Sequence, residues 1–318
     1  MIIGHKTQWE FLRRIAKNNE IPQSFLFAGP DSLGKKRVAL EFIKLLNCQE
    51  KNFFKRPCRK CFTCNLIEKG RHPDLILVQP KERRESQKGR LGEIQISQIR
   101  DLQRILTFRS QVSRFKSVII DEAHTLNASA QNCLLKTLED PPGRVIFFLI
   151  TPFPEMLFET VRSRSEILKF YPLKDEEIRS YFKEKISDHQ IQKIVEFSEG
   201  KPGWVINFLN SPRRLFEVQK GFKEIERILM ADLSQRFRFV KDFFAKEKEN
   251  FDLSLFLQNL ERYLRKSFLE HLKLTSNLSD GKTLEIKKRI ELVGKIKFLL
   301  TTTNLDPRLA LETLMLML

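Results

Sequence analysis

Apolar and polar positions change their rhythm partway along the chain. Up to about residue 170, short unbroken apolar runs alternate with segments whose apolar residues fall at helical spacing. The runs Phe25–Ala28, Asp74–Val78, Lys116–Ile120 and Val145–Ile150 have the length and flanks of buried strands. Val38, Leu40, Phe42, Ile43 and Leu46 form a helical stripe after the first of them. This alternation predicts a mainly parallel sheet covered by helices. After Pro172 the strand signal disappears. Asp175 to Phe182 and Asp188 to Ser198 predict a small helical domain ending at Gly200-Lys201-Pro202-Gly203. Beyond it, helix-period Leu, Phe and Lys dominate, as in Phe251 to Leu272 and Leu284 to Leu300, so an all-α domain is expected, its apolar stripes serving as core or as an oligomerisation surface. The expected boundaries are 1–170, 171–208 and 209–318. Pro80 to Gly92 is charged and aperiodic, which predicts a surface loop and leaves a nucleic-acid contact open.

The first strand runs into Gly29-Pro30-Asp31-Ser32-Leu33-Gly34-Lys35-Lys36, which fits G-x-x-x-x-G-K and then departs where a P-loop has Ser or Thr. Strand, glycine loop and helix start would place backbone N–H groups and the positive helix end around a phosphate, with Lys35 as a point charge. Lys36 has no lone pair with which to replace a magnesium-binding hydroxyl. Lys116-Ser117-Val118-Ile119-Ile120-Asp121-Glu122 supplies the complementary element, an apolar strand ending in two carboxylates. In that arrangement Asp121 holds magnesium through water and Glu122 polarises the attacking water. Thr151, at the end of a further strand, stands where a hydroxyl sensing a γ-phosphate would be. These residues make a degenerate nucleotide site for ATP or ADP.

Cys48, Cys58, Cys61 and Cys64 are spaced C-x9-C-x2-C-x2-C. Two consecutive C-x2-C steps can wrap three thiolates around one ion, and Cys48 can close the tetrahedron, which predicts a structural zinc in a module over 48–64. Iron–sulfur clusters use similar ligands at other spacings. Lys51, Lys55, Arg56, Arg59 and Lys60 would offset the thiolate charge. Cys133 stands apart and reads as a small buried residue.

Composition then narrows the class. A length of 318 residues with 41% hydrophobic content supports more than one core. The formal net charge of +17 favours polyanionic partners, although solvated Lys and Arg faces produce the same excess. No N-terminal stretch reads as a signal peptide and no apolar run approaches the ~20 residues of a membrane span. A cytoplasmic protein is therefore expected, where clustered cysteines hold metal more often than disulfides.

Taken together, these motifs resemble the bacterial clamp-loader subunits of the AAA+ class, most closely the delta prime type of DNA polymerase III. The similarity starts with Gly4 and Pro22 to Lys35 and includes the cysteine module. It continues through Val118 to His124 and through Asn132-Cys133-Leu134-Leu135-Lys136-Thr137-Leu138-Glu139-Asp140-Pro141-Pro142, which is close to N-x-L-L-K-x-L-E-E-P-P. Val161-Arg162-Ser163-Arg164-Ser165 is similar to an S-R-C signature with Ser165 replacing Cys, and Asn304 to Glu312 looks like a C-terminal collar helix. The resemblance implies an α/β P-loop AAA+ domain with an inserted zinc module, a small helical lid domain and an all-α collar. It also implies a heteropentamer with motor subunits and a clamp-opening subunit, acting on a sliding clamp and primer-template DNA. Arg164 matches the arginine finger such a subunit presents to its neighbour's ATP.

Two departures bear on activity. Motor subunits carry a lid arginine in a Gly-x-x-Arg element, where this chain has Gly203, and Lys36 replaces the magnesium hydroxyl. Little or no hydrolysis by this chain alone is expected. An ATP-hydrolysing motor of the gamma/tau type is the alternative within the family. An independent zinc-containing DNA-binding protein is the alternative outside it.

Overall fold

Five short strands form one parallel sheet, and every expected strand is present. The computed structural model describes residues 2–80, 92–110, 112–183, 186–245, 253–275, 280–302 and 305–318. β1 (Ser24–Ala28), β2 (Leu75–Val78), β3 (Lys116–Ile120), β4 (Val145–Thr151) and β5 (Glu166–Lys169) lie in the order β2-β3-β4-β1-β5. β1, β3 and β4 are buried throughout, which is why they read as unbroken apolar runs. β5 escapes the apolar pattern because charged Glu166 and Lys169 bound its two apolar residues, of which only Leu168 is buried; β2, at the other edge, keeps four apolar residues.

Alternate side chains of the strands face opposite helical layers. On one face, Phe25, Phe27, Ile146 and Phe148 pack with Leu12 and Ile15 of α1 (Lys6–Asn18) and with Val38 and Phe42 of α2 (Lys35–Asn47). Ile67 of α3 (Phe62–Glu68) joins the same core. On the other, Leu26, Val118, Phe147 and Leu149 meet α4 (Ile96–Thr107), α5 (Ala128–Glu139) and Val161 of α6 (Glu159–Arg162). The Phe25 and Phe148 rings stack at 5.4 Å, and Phe42 meets Phe25 edge-on at 5.7 Å. The second chain layer is tied to the sheet by Lys116, whose buried ammonium donates to Ile105 O at 3.1 Å and to Phe108 O, covering carbonyls that end α4.

Contacts divide the chain into two units, Met1–Glu82 with Gly92–Val205, and Ile206–Leu318. The first also holds α7 (Asp175–Phe182) and α8 (Asp188–Glu196), and α9 (Pro202–Asn210) runs across the division. The second contains α10 (Pro212–Met230), α11 (Leu233–Ala245), α12 (Leu253–Thr275), α13 (Gly281–Thr302) and α14 (Pro307–Met317). Val240, Phe256, Leu260, Val293 and Leu314 lie in its core. Asp306 caps α14 by accepting from Arg308 N and Leu309 N, with Pro307 at the first helical position. The charged loop expected over Pro80 to Gly92 falls almost wholly outside the described residues. Among the described residues no helix is long and apolar enough to cross a membrane.

Phe148→Ala would leave a cavity beneath β4 and cost about 3–5 kcal/mol. Trp9 and Trp204 both belong to the first unit, so urea unfolding followed by tryptophan fluorescence should show its midpoint fall.

Candidate nucleotide site and metal centre

At the C-terminal end of β1 the chain turns sharply. Gly29 has φ 144°, and a Cβ there would run into Phe170 O, so the loop can pass only as glycine. Gly29 N–H donates to Thr151 O at 3.2 Å. Deeper in the loop, His5 Nε2 bonds Leu33 O at 2.8 Å, and burial pushes the His5 imidazole below its ordinary pKa. Gly34 is the N-cap of α2. From the other side Gly203 N–H donates to Ser32 O at 2.8 Å. A Cβ at Gly203 would lie 2.7 Å from that oxygen, so the close seating of the α9 start on the loop depends on glycine.

The charged residues converge on this loop. Lys35 is only 5% exposed and donates to Pro30 O at 2.7 Å and to Gly29 O. Burial lowers its pKa to about 8 against the opposing pull of Asp31 and Asp121. Lys36 Nζ lies 3.1 Å from Asp121 Oδ2, which also accepts from Gln79 Nε2 at 3.2 Å. Thus the residue in the hydroxyl's position pairs directly with the carboxylate expected to hold magnesium. Glu122 has φ 53°; burial raises its pKa, with further repulsion from Asp121 and Asp31, while Lys36 opposes the rise. Thr151 is wholly buried, and its Oγ1 accepts from Phe153 N–H at 3.0 Å. Gln79 and His5 carry no motif of their own, so the sequence did not mark them.

The second cluster lies at the other end of α2. Sγ atoms of Cys48, Cys58, Cys61 and Cys64 all fall within 4.8 Å of one another. Tetrahedral thiolates at the usual Zn–S distance are roughly 3.8 Å apart, so a modest contraction would close the cluster. Backbone N–H groups of Cys58, Cys61 and Cys64 donate to the sulfurs of Cys48, Cys58 and Cys61 at 3.3, 3.3 and 3.5 Å. Burial raises the Cys58 pKa, but N–H donation from Lys60 and Cys61 outweighs it and brings the thiol to about 6. Burial pushes Cys64 strongly upward, and the neighbouring thiols add to it. Four sulfurs brought this close, two of them partly and two fully buried, make a donor set that fits a closed four-sulfur ion site. Cys133 lies apart, its Sγ 3.5 Å from Gln103 Oε1.

An ionic network centred on buried Glu41 joins α2 to the cysteine module and to α3. Glu41 of α2 has no exposed side-chain surface and meets Arg37 at 3.2 Å, Lys44 at 3.0 Å and Arg59 at 3.2 Å. Arg37 and Lys44 also bind Glu68 at the end of α3. Arg59, expected to offset thiolate charge, directs its guanidinium to Glu41. Hydrogen bonding from Arg37 foremost, aided by Lys44, lowers the Glu68 pKa to about 2 against the effect of burial.

Arg164 lies after α6, at the opposite end of β1 from the glycine loop. Its Nη2 pairs with Glu139 Oε1 at 2.6 Å, its Nη1 donates to Thr160 O at 3.0 Å, and its side chain is 37% exposed. Ser165 bonds Ser24 Oγ at 2.8 Å, which fixes the segment to β1. Glu139 is a partner that sequence spacing could not reveal.

The DNA polymerase III, delta subunit family matches residues 4–174, more than half of the chain. The chain belongs to the AAA+ clamp-loader family of DNA polymerase III, which includes delta prime subunits. Clamp-loader relatives include a DNA polymerase III gamma subunit of Buchnera aphidicola, 30% identical over 72% of this chain and 62% of that one. A delta prime subunit of Bacillus subtilis is 32% identical over 62% of this chain and 59% of its own length. The match therefore spans less than two thirds of either relative. In fold, a DNA polymerase III gamma subunit-related protein of Thermotoga maritima aligns with a TM-score of 0.51, covering 97% of each chain at 18% identity.

Cys61→Ser should lower the bound-zinc stoichiometry, read by elemental analysis, and speed hydrogen exchange across α3. Retained zinc would exclude Cys61 as a ligand. Folded Glu68 binds fewer protons than unfolded Glu68 between its ordinary 4.5 and about 2, so its stabilisation is complete above pH 4.5 and disappears as pH falls through 2. Acid unfolding of Glu68→Gln, compared with wild type by tryptophan fluorescence, should therefore show a shallower loss of stability in that window.

Proposed function

We propose that this chain is a delta prime-like subunit of a DNA polymerase III clamp loader, helping to place a sliding clamp on primed DNA. In this reading it has little or no ATP hydrolysis of its own. The Lys36–Asp121 ion pair carries that assignment, because an ammonium occupies the position from which a motor's hydroxyl holds magnesium. Gly203 agrees with it: the lid position that would carry an arginine is seated against Ser32 O.

Arg164 is the proposed finger. Its guanidinium would add a permanent planar charge to the phosphoryl group transferring at a neighbouring subunit. Glu139 and Thr160 O hold it near the surface in the meantime, and the partial exposure of its side chain is compatible with reaching a neighbour. The expected partners are motor subunits and a clamp-opening subunit in a heteropentamer, with primer-template DNA engaged by the assembly in the cytoplasm. The four cysteines would hold a structural zinc that stiffens the insertion between α2 and α3. The 171–208 segment would serve as lid and 209–318 as collar.

The Buchnera gamma relative supports a second reading, an ATP-hydrolysing motor. Turnover assays of the purified chain, alone and mixed with motor and clamp-opening subunits, clamp and primed DNA, separate the two. The delta prime reading expects silence alone and hydrolysis in the mixture; robust turnover alone establishes the motor. In the mixture, Arg164→Ala should remove from one interface a contribution worth about 10³–10⁵ in rate, with ring assembly intact by gel filtration. Unchanged hydrolysis would exclude Arg164 as the finger.

A further inference from the structure

The loop that motors use with magnesium is wired differently in this chain. Asp121 Oδ2 accepts from both Lys36 Nζ and Gln79 Nε2, so the carboxylate is engaged from two sides. A divalent ion brought to that oxygen would face the like charge of the ammonium and would gain no lone pair from it. Lys36 nevertheless keeps 37% of its side chain exposed, and its charge lies beside the start of α2, where backbone N–H groups and the helix dipole favour an anion. Lys35 adds a second, buried cation at the same loop.

A further observation points to a ligand. His124 is buried, and its Nδ1 has no hydrogen-bond partner. His124 lies in the short turn Ala123–Thr125 that directly follows Asp121 and Glu122, so a buried polar atom without a partner stands on the same segment as the carboxylate that Lys36 engages. The opposing charges are Asp31 and Glu122, and Lys201 adds a positive charge felt at Lys35.

We infer that the P-loop of this chain binds a nucleoside polyphosphate without a divalent cation, the Lys36 ammonium taking the metal's place between Asp121 and the phosphates. This rests on the P-loop reading of the site and is independent of the finger role of Arg164. An ammonium can neutralise phosphate charge and donate hydrogen bonds, but it cannot organise an attacking water as a metal does. Binding and turnover therefore separate in this chain: the nucleotide serves as a resident structural ligand.

The test is a titration of the full-length chain with a fluorescent N-methylanthraniloyl derivative of ATP, in excess magnesium and in excess EDTA. Wild type should bind with affinities that agree within about twofold in the two buffers, because no metal contact is lost. Lys36→Thr restores a metal-binding hydroxyl. It should bind about tenfold more weakly in EDTA and regain affinity with magnesium. Lys36→Met keeps most of the aliphatic stem without the charge and should be weak in both buffers. Tryptophan fluorescence checks that each variant is folded, since Trp9 and Trp204 lie in the unit that carries the site. Wild-type binding that needs magnesium, no wild-type binding in either buffer, or full affinity of Lys36→Met in EDTA would each overturn the inference. None of these results would change the expected effect of Arg164→Ala on hydrolysis by the mixture, so this idea and the finger assignment fail separately.

Discussion

A carboxylate with no exposed surface must be paired, and in this protein that requirement falls on Glu41. Its partners Arg37 and Lys44 lie on the same helix, while Arg59 comes from the cysteine module. The P-loop lysines stand at the start of that helix and Cys48 is its C-cap. One buried anion therefore ties the middle of α2 to the insertion that follows it. Removing the pairing would leave a bare charge in the core, which is why the insertion is held to the helix instead of hanging from it.

The same helix explains how the site can keep an ancestral shape after losing parts of its chemistry. Its position comes from packing: Val38, Phe42 and Ile43 lie against Phe25 and Phe148 in a close-packed core. Nothing in that packing requires a hydroxyl at position 36. A lysine there reaches Asp121, satisfies the carboxylate and leaves the fold intact. Gly203 shows a similar exchange. Without a side chain it cannot contact a phosphate, but its backbone N–H can approach Ser32 O and hold the start of α9 on the loop.

Much of this was legible in the residues themselves. Strands β1 to β4 declared themselves as apolar runs, and the cysteine spacing anticipated a cluster whose sulfurs do come together. The helices after Pro172 appeared at the expected places because amphipathic spacing is local information. β5 did not, since Glu-Ile-Leu-Lys offers only two apolar residues between charges, whereas the other edge strand, β2, is apolar throughout. The pairing of Arg164 with Glu139 and of Gln79 with Asp121 was equally hidden, because each joins residues from different elements that only the packed fold brings together.

The sequence by itself determined the element types, the glycine loop, the substitution at Lys36 and the four thiols, all of which depend on neighbours a few residues away. Tertiary structure decided where the charges went. Whether Arg59 served the sulfurs or Glu41, and whether Lys36 faced solvent or Asp121, depended on which side chains the parallel sheet and its two helical layers brought within about 3 Å, the range in which a charged hydrogen bond forms.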